Sequence, residues 1–168
     1  PLSNGKVMVG GLFSSFNGTA KSGICRLNKN GSIDATFGGS GISSGHRVYF
    51  IHPISNTKYL IAGTFTSYNG VAKNRIVKVN SNGSIDNSFN PGIGANGDIY
   101  MITAQTDGKF ILVGSFTSYN GVARNRIARI NANGSLDASF DPGTGANSQV
   151  FVAKVQTDGK ILIGGNFT

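Results

Sequence analysis

Residues that could carry out catalysis are few in this sequence, and their types do not form a familiar catalytic set. The chain contains two histidines, one cysteine and seven aspartates, and it has no glutamate. A catalytic pair of carboxylates would have to be built from aspartates alone, and two histidines among many serines do not define a Ser-His-Asp triad. We therefore predict no catalytic residues and no cofactor, with an enzyme kept as an alternative.

An oxygen-rich motif, N-x-N-G-S-[I/L]-D, occurs three times, starting at Asn28, Asn80 and Asn131. Its oxygens at positions 1, 3, 5 and 7 are similar to the start of an EF-hand calcium loop. However, Gly stands at position 4 instead of 6, and no Glu follows at position 12. Asn-Gly also forms tight turns, because both residues accept a positive φ at low cost. We therefore interpret the motif as a turn and predict no metal site.

Basic side chains indicate a second chemistry, the binding of anions. The chain carries 15 Lys and Arg against seven Asp, a net charge of +8, which favours anionic partners. Two basic pairs occupy matching positions of the repeat described below and are candidate anion ligands: Lys73 and Arg75, and Arg124 and Arg126. The competing interpretation is that the basic residues lie on solvated strand faces or pair with aspartates. Those pairs would be Arg26, Lys78 and Arg129 with Asp34, Asp86 and Asp137.

An internal repeat determines which elements must position these side chains. Residues 63–113 and 114–164 are identical at 29 of 51 aligned positions, and a more divergent copy covers about residues 11–62. An anchor phenylalanine recurs every 51 or 52 residues, at Phe13, Phe65, Phe116 and Phe167. We therefore predict that residues 1–168 form a single repeat array, with partial strands that duplicate each other at its two ends.

Each period predicts about four short strands separated by turns. Between residues 99 and 140 these strands are residues 99–105, 109–116, 125–131 and 135–140, with Asp-Gly and Asn-Gly turns between them. Four strands in about 50 residues match the period of a propeller blade. The predicted fold is all-β, with about three four-stranded propeller blades of about 51 residues, and a solenoid is the alternative. No apolar run approaches the length of a membrane span.

Three periods are fewer than the four to eight blades of closed propellers. We therefore expect the chain to be part of a larger ring. The ring would be completed by flanking repeats, with this chain a fragment of a longer one, or by further copies of the same chain.

Two segments make the chain similar to a known family. The run QTDGKILIGGNFT at residues 156–168 and the pattern YNG…RNRIARIN…NGSLDASF at residues 119–140 resemble the delta-60 repeat. The resemblance covers essentially the whole chain. It implies a β-propeller of unknown function from a large bacterial secreted or surface protein, or from a phage virion protein such as a tail fibre. The first copy departs from the pattern at residues 52–58, and the family offers no catalytic motif to transfer.

Comparison of the copies indicates a candidate ligand-binding surface. The first strand of each period and the loop that enters it differ most between copies, and in propellers that strand usually lines the channel. The polar residues at these positions are the candidate ligand-binding residues: His46, Arg47, His52, Asp98, Thr103, Gln149 and Lys154. Drift at unconstrained solvent positions is the competing interpretation, although binding residues do concentrate on loops over rigid scaffolds.

The expected function is that of a non-catalytic module in a secreted, cell-surface or virion protein. Its partner would be a host-surface glycan or a protein receptor, for which the propeller serves as a structural and adhesion platform. A polyanion- or nucleic-acid-binding module and an enzyme with a site in the channel are the alternatives. Nucleic acid is the weaker, because the aromatic residues occupy fixed repeat positions and do not alternate with basic residues as in a base-stacking platform.

Overall fold

Short runs of β-branched and aromatic residues are separated by turns that contain Gly and Asn. The structure built from them consists of short antiparallel strands. A computed structural model describes residues 2 and 4–168, and within that part of the chain it contains sixteen strands and no helix. The all-β fold predicted from the repeat is therefore confirmed. The chain forms two compact units, Pro1–Asp86 and Asn87–Thr168.

Unit 1 (Pro1–Asp86) contains a three-stranded antiparallel sheet and a two-stranded pair. The strands are β1 (Val7–Gly10), β2 (Ser15–Phe16), β3 (Thr19–Ala20), β4 (Ile24–Leu27), β5 (Val48–Ser55), β6 (Lys58–Gly63), β7 (Ser67–Tyr68), β8 (Val71–Ala72) and β9 (Ile76–Asn80). The sheet has the order β5-β6-β9, with Leu60 opposite His52 on one side and Lys78 on the other. β1 pairs with β4, and the pairs β2-β3 and β7-β8 are two-residue hairpins.

Unit 2 (Asn87–Thr168) repeats this arrangement. Its strands are β10 (Ile99–Ala104), β11 (Phe110–Gly114), β12 (Ser118–Tyr119), β13 (Val122–Ala123), β14 (Ile127–Ile130), β15 (Val150–Val155) and β16 (Ile161–Gly165). The sheet has the order β10-β11-β14, with Leu112 opposite Ile102 and Ala128. β15 pairs with β16, and β12-β13 is the short hairpin around Asn120-Gly121.

The fourth predicted strand of each blade is shorter than the sequence indicates. In place of a strand over residues 135–140, Leu136 makes a single antiparallel bridge with Ile130. The chain turns directly afterwards, because the Ser139 N–H donates to Asp137 Oδ1 (3.0 Å) and the Phe140 N–H to the Asp137 carbonyl oxygen (3.3 Å). Equivalent single bridges occur in the earlier copies, between Leu27 and Ile33 and between Val79 and Ile85.

The core lies along the second strand of each three-stranded sheet. Ile61 in β6, and Leu112 in β11, have no exposed surface, as expected for an apolar strand that is covered on both faces. The anchor residues Phe65 and Phe116 are also fully buried. The described residues include no helix of the length and hydropathy that a membrane crossing requires.

Candidate functional site

The first strand of each period, β5, β10 or β15, contains a β-bulge at an aromatic residue. In β10, Ile99 pairs with Gly114 and Met101 with Val113, so Tyr100 between them has no residue opposite. Equivalent register shifts leave Tyr49 in β5 and Phe151 in β15 as the extra residues. A bulge re-aims the side chain it carries. Sequence reasoning missed this feature, because an aromatic residue at the same place in each copy marks the position but does not distinguish a bulge from a regular strand.

A glycine and two hydrogen bonds hold the entries to β10 and β5. A Cβ on Gly114 would collide with the carbonyl oxygen of Asp98, so only Gly allows this approach of the two strands. The Ser115 N–H donates to that carbonyl oxygen (2.9 Å), and the Asp98 N–H donates to Ser115 Oγ (3.1 Å). The copy in unit 1 has the same arrangement, with Gly63 and Thr64 holding Arg47.

Two of the bulge aromatics contact each other in unit 2. The ring centroids of Tyr100 and Phe151 are 5.6 Å apart and the rings are tilted by 35°. The Phe151 side chain is 41% exposed, and that of Tyr100 is partly exposed. The two strands are joined beside the rings, because Thr103 Oγ1 donates a hydrogen bond of 2.8 Å to the carbonyl oxygen of Ala153.

The candidate ligand-binding residues of unit 1 lie on β5 and at its entry. Arg47 is exposed, and its guanidinium carbon lies 5.6 Å from the ring centroid of Tyr49, a cation–π contact. His52 is half-buried in β5, and desolvation by burial lowers the pKa of its imidazole. His46 is half-buried in the preceding loop.

The loop at His46 contains a motif that the sequence analysis did not use. Gly41-Ile42-Ser43-Ser44-Gly45 has the G-x-S-x-G spacing, and Ser43 Oγ lies 3.1 Å from His46 Nδ1. However, Nδ1 also lies 3.0 Å from the Ser44 carbonyl oxygen, which can only accept a hydrogen bond. A hydrogen bond to that carbonyl oxygen requires a proton on Nδ1, and in that tautomer Nδ1 cannot take a proton from Ser43. The loop also lacks the strand-to-helix turn that a nucleophile of this type requires.

The candidate residues of unit 2 lie on β10 and β15 and at their entries. Asp98 and Gln149 precede the two strands and are half-buried. Thr103 is half-buried with its hydroxyl bonded to Ala153, as described above, whereas Lys154 in β15 is exposed. Within unit 2 these four residues therefore lie on, or directly before, the two strands that carry the aromatic pair.

The candidate anion ligands have contacts with the main chain. Arg75 and Arg126 adopt positive φ angles of 66° and 65°. Their Nη1 atoms donate to the carbonyl oxygens of Phe65 and Ala146 respectively, each at 3.2 Å. Arg124 donates through Nη1 to the carbonyl oxygen of Ala123 (2.8 Å), and Lys73 is half-buried. In each of the three arginines, Nη1 therefore donates to a main-chain carbonyl oxygen.

The pairing of basic residues with aspartates is confirmed in all three copies. Asp34 Oδ2 lies 2.7 Å from both Arg26 Nε and Lys6 Nζ. Burial alone would raise the pKa of Asp34, but hydrogen bonds from Lys6, Thr36 and Arg26 outweigh it and hold the pKa well below its usual range. The matching clusters are Asp86 with Lys58 and Lys78, and Asp137 with Lys109 and Arg129.

The oxygen-rich motif forms a hydrogen-bonded turn. Asn30 Oδ1 accepts hydrogen bonds from the N–H (3.1 Å) and the Oγ (2.7 Å) of Ser32, and Asn28 Nδ2 donates to the same Oγ (3.0 Å). The later copies repeat these bonds at Asn82 and Asn133. The motif therefore closes an Asx turn, as interpreted from the sequence. No cluster of three or more His, Cys, Asp or Glu suited to a metal ion occurs among residues 2 and 4–168.

Comparison with known proteins gives one match. A family described as "Domain of unknown function (DUF5122) beta-propeller" matches residues 2–37, 55–89, 105–140 and 156–168, in phase with the internal repeat. The segments between the matches contain β10, β15 and all of β5 except Ser55. No curated protein matches the chain. No solved structure matches it either.

Proposed function

The chain belongs to the DUF5122 β-propeller family, and we propose that it is a non-catalytic module whose first strands serve as a binding platform. The partner is a glycan or a protein receptor on a host surface. The module belongs to a secreted, cell-surface or virion protein, in keeping with the resemblance to delta-60 repeats. Its low content of charged residues, 13%, and its 25 Gly fit an exposed, turn-rich β protein.

The observation that carries this proposal is the contrast between a fixed backbone and different side chains at the first-strand entries. Arg47, Asp98 and Gln149 occupy the same place in three copies, and each carbonyl oxygen accepts a 2.9 Å hydrogen bond from the residue after the glycine. The three side chains are cationic, anionic and neutral. A backbone held in one geometry with differing polar groups is a suitable support for specific recognition, because its order is established before binding.

The non-catalytic part of the proposal is supported by how the reactive groups are used. Asp34 and Asp137 are buried and bonded to two cations each, so neither carboxylate is placed to act as a general base. A hydrogen bond from His46 Nδ1 to the Ser44 carbonyl oxygen leaves that nitrogen unable to accept the Ser43 proton. Asp86 is buried and bonded to Lys58 and Lys78 in the same way.

A polyanion-binding function has one specific observation in its favour. Arg47 and Lys154 are exposed on the first-strand surfaces of units 1 and 2 respectively, and the chain is strongly basic. Such binding would weaken steeply with salt, because it releases counterions. Binding that is specific for one receptor would keep most of its affinity, so salt titration separates the two functions.

Binding of the labelled chain to a glycan array and to intact bacterial and animal cells tests the proposal. The test variant combines His52→Ala, Thr103→Ala and Lys154→Ala. The control combines Lys29→Ala, Thr106→Ala and Val122→Ala, which are exposed substitutions within the family-matched segments and remove one lysine, as the test variant does. We expect the first-strand variant alone to lose binding. Equal binding by both variants, or turnover of a bound glycan that one Asp substitution abolishes, would overturn the proposal.

A further inference from the structure

We propose that Tyr100 and Phe151 form a stacking site for pyranose rings of a carbohydrate chain on the first-strand surface of unit 2. The inference rests on the proposed function and names the chemistry of its ligand. The two rings are the residues inserted by the bulges of β10 and β15, and their centroids are 5.6 Å apart. The two rings contact each other, and Phe151 remains 41% exposed to solvent.

The exposure of these rings is a property of the repeat position. Tyr49, at the same place in unit 1, is also 41% exposed. On β10, by contrast, Ile99 and Ile102 on either side of Tyr100 are at most 1% exposed. Their spacing of three residues, where a regular strand buries every second one, shows that the bulge leaves two successive residues, Tyr100 and Met101, between the buried positions. On β10 the aliphatic residues Ile99 and Ile102 therefore fill the interior, and the aromatic residue lies nearer the surface.

The chemistry of an aromatic face suits a sugar ring. The π face carries partial negative charge, and one face of a pyranose presents C–H bonds that are polarised positively by the neighbouring oxygens. The sugar hydroxyls point outward from the ring edge and need polar partners. Gln149 lies two residues before Phe151 and Lys154 three residues after it, so donors and an acceptor flank the rings along β15. Binding sites commonly combine aromatic walls with a few polar groups in this way.

The rings are also held in place before a ligand arrives. Thr103 Oγ1 bonds to the Ala153 carbonyl oxygen and ties β10 to β15. Gly114 and Gly165 allow the close approach that forms the two bulges, since a Cβ on either would collide with the carbonyl oxygen of Asp98 or Gln149. A surface that is ordered in advance loses less conformational entropy on binding. This rigidity distinguishes the pair from isolated exposed aromatics.

The test measures binding of the full chain to immobilised dextran, mannan, xylan, alginate and hyaluronan, with single-stranded oligo(dT) as the nucleic-acid probe. Phe151→Tyr keeps an aromatic face, whereas Phe151→Leu keeps apolar surface and removes the face. We expect at least one polysaccharide to bind and Phe151→Tyr to stay close to native affinity. Phe151→Leu and Tyr100→Ala should weaken binding by about tenfold, the effect typical of losing one stacked aromatic. Far-UV circular dichroism and the unfolding midpoint establish that each variant is folded.

Equal binding by Phe151→Leu and the native chain would overturn the inference, as would the absence of binding to every polysaccharide. Binding of oligo(dT) alone, lost in the same variants, would overturn it in favour of base stacking. Failure here is separable from failure of the proposed function. Receptor binding that is abolished by the first-strand triple variant but unchanged by Phe151→Leu leaves the platform standing without the sugar site.

Discussion

Each repeat contains two regions that differ in how far their side chains vary between copies. One is the aspartate cluster beside the third strand, and the other is the first strand with its entry. The aspartate clusters have the same construction in all copies, with one carboxylate and two cations at 2.7–3.5 Å. The first strands share a backbone bulge but carry different polar side chains. Charged groups in the first region therefore neutralise one another, whereas Arg47 and Lys154 in the second region are exposed to solvent.

The family match divides the chain along the same line. The aspartate clusters lie inside the matched segments, and β10 and β15 lie between them. The family pattern therefore describes the part that builds the blade. The side chains that differ between copies are concentrated on the first strands, which is the expected distribution for a scaffold with a recognition surface. Substitutions in the two regions should separate stability from binding.

Asp34→Ala should give the largest loss of stability. The substitution leaves Arg26, only 5% exposed, without its carboxylate, and an uncompensated buried charge costs about 4 kcal/mol. Chemical denaturation of the native and variant chains measures the change in unfolding free energy. Asp158→Ala is the control, because the Asp158–Lys160 pair is exposed on both sides. Similar losses in the two variants would contradict the distinction between buried and surface ion pairs.

The same cluster predicts a stability change with pH. The folded-state pKa values of Asp34 and Asp137 are held below their usual range, so their contribution is complete above about pH 4, where the unfolded carboxyls are ionised. It is lost as the pH falls through the folded-state values. Unfolding free energies measured from pH 6 to pH 2 should fall, and Asp34→Ala should flatten the decline. A parallel decline in the variant would count against this assignment.

Gly114→Ala should come next, with a loss of about 3 kcal/mol, because the added Cβ collides with the Asp98 carbonyl oxygen and cannot be relieved by a side-chain rotation. The variant also disturbs the bulge at Tyr100, so we expect it to affect both the stability of the blade and the first-strand surface. Gly108→Ala provides the control: its φ is 81°, but nothing lies within 4 Å of the added Cβ. We expect about 1 kcal/mol there, and equal losses in thermal unfolding would refute a steric role for Gly114.

Much of the fold was readable from the sequence for physical reasons that the copies make plain. Phe65 and Phe116 recur at 51 residues because each blade buries one anchor, and both are fully buried. The Asn-Gly turns need positive φ, which Asn120 and Gly121 adopt. The fourth strand was overestimated, because the bonds to Asp137 that turn the chain away depend on a side chain positioned by tertiary contacts.

The candidate site was less accessible to sequence reasoning. The divergence of the first strands was visible, but the bulge was not, since an apolar run such as that around Tyr100 fits a regular strand equally well. Only the pairing register shows that Tyr100 and Phe151 have no residue opposite. Likewise, Thr103 is a variable polar residue in the sequence, yet its hydroxyl is used between β10 and β15.

Tyr119→Phe should cost about 1.5 kcal/mol. The fully buried hydroxyl donates a 2.8 Å hydrogen bond to the Gly134 carbonyl oxygen, and the substitution leaves that buried acceptor unsatisfied. Burial also raises the pKa of this phenol, so the native hydroxyl keeps its proton and donates this hydrogen bond near neutral pH. Denaturant midpoints of the two chains give the measurement. Tyr59→Phe is the matched control, because its hydroxyl donates a longer hydrogen bond of 3.3 Å to the carbonyl oxygen of Asn56, an exposed residue, and it should change stability less.

Lys154→Ala should have the smallest effect on stability, in contrast to Asp34→Ala in the aspartate cluster. Its side chain is exposed on β15, and exposed substitutions of this kind usually stay within about 0.5 kcal/mol. Because the same residue belongs to the proposed binding surface, binding should fall while the unfolding free energy does not. Measuring both quantities on one preparation is decisive. A large loss of stability would place Lys154 in the scaffold, and the division of each repeat into a structural and a recognition region would not hold in β15.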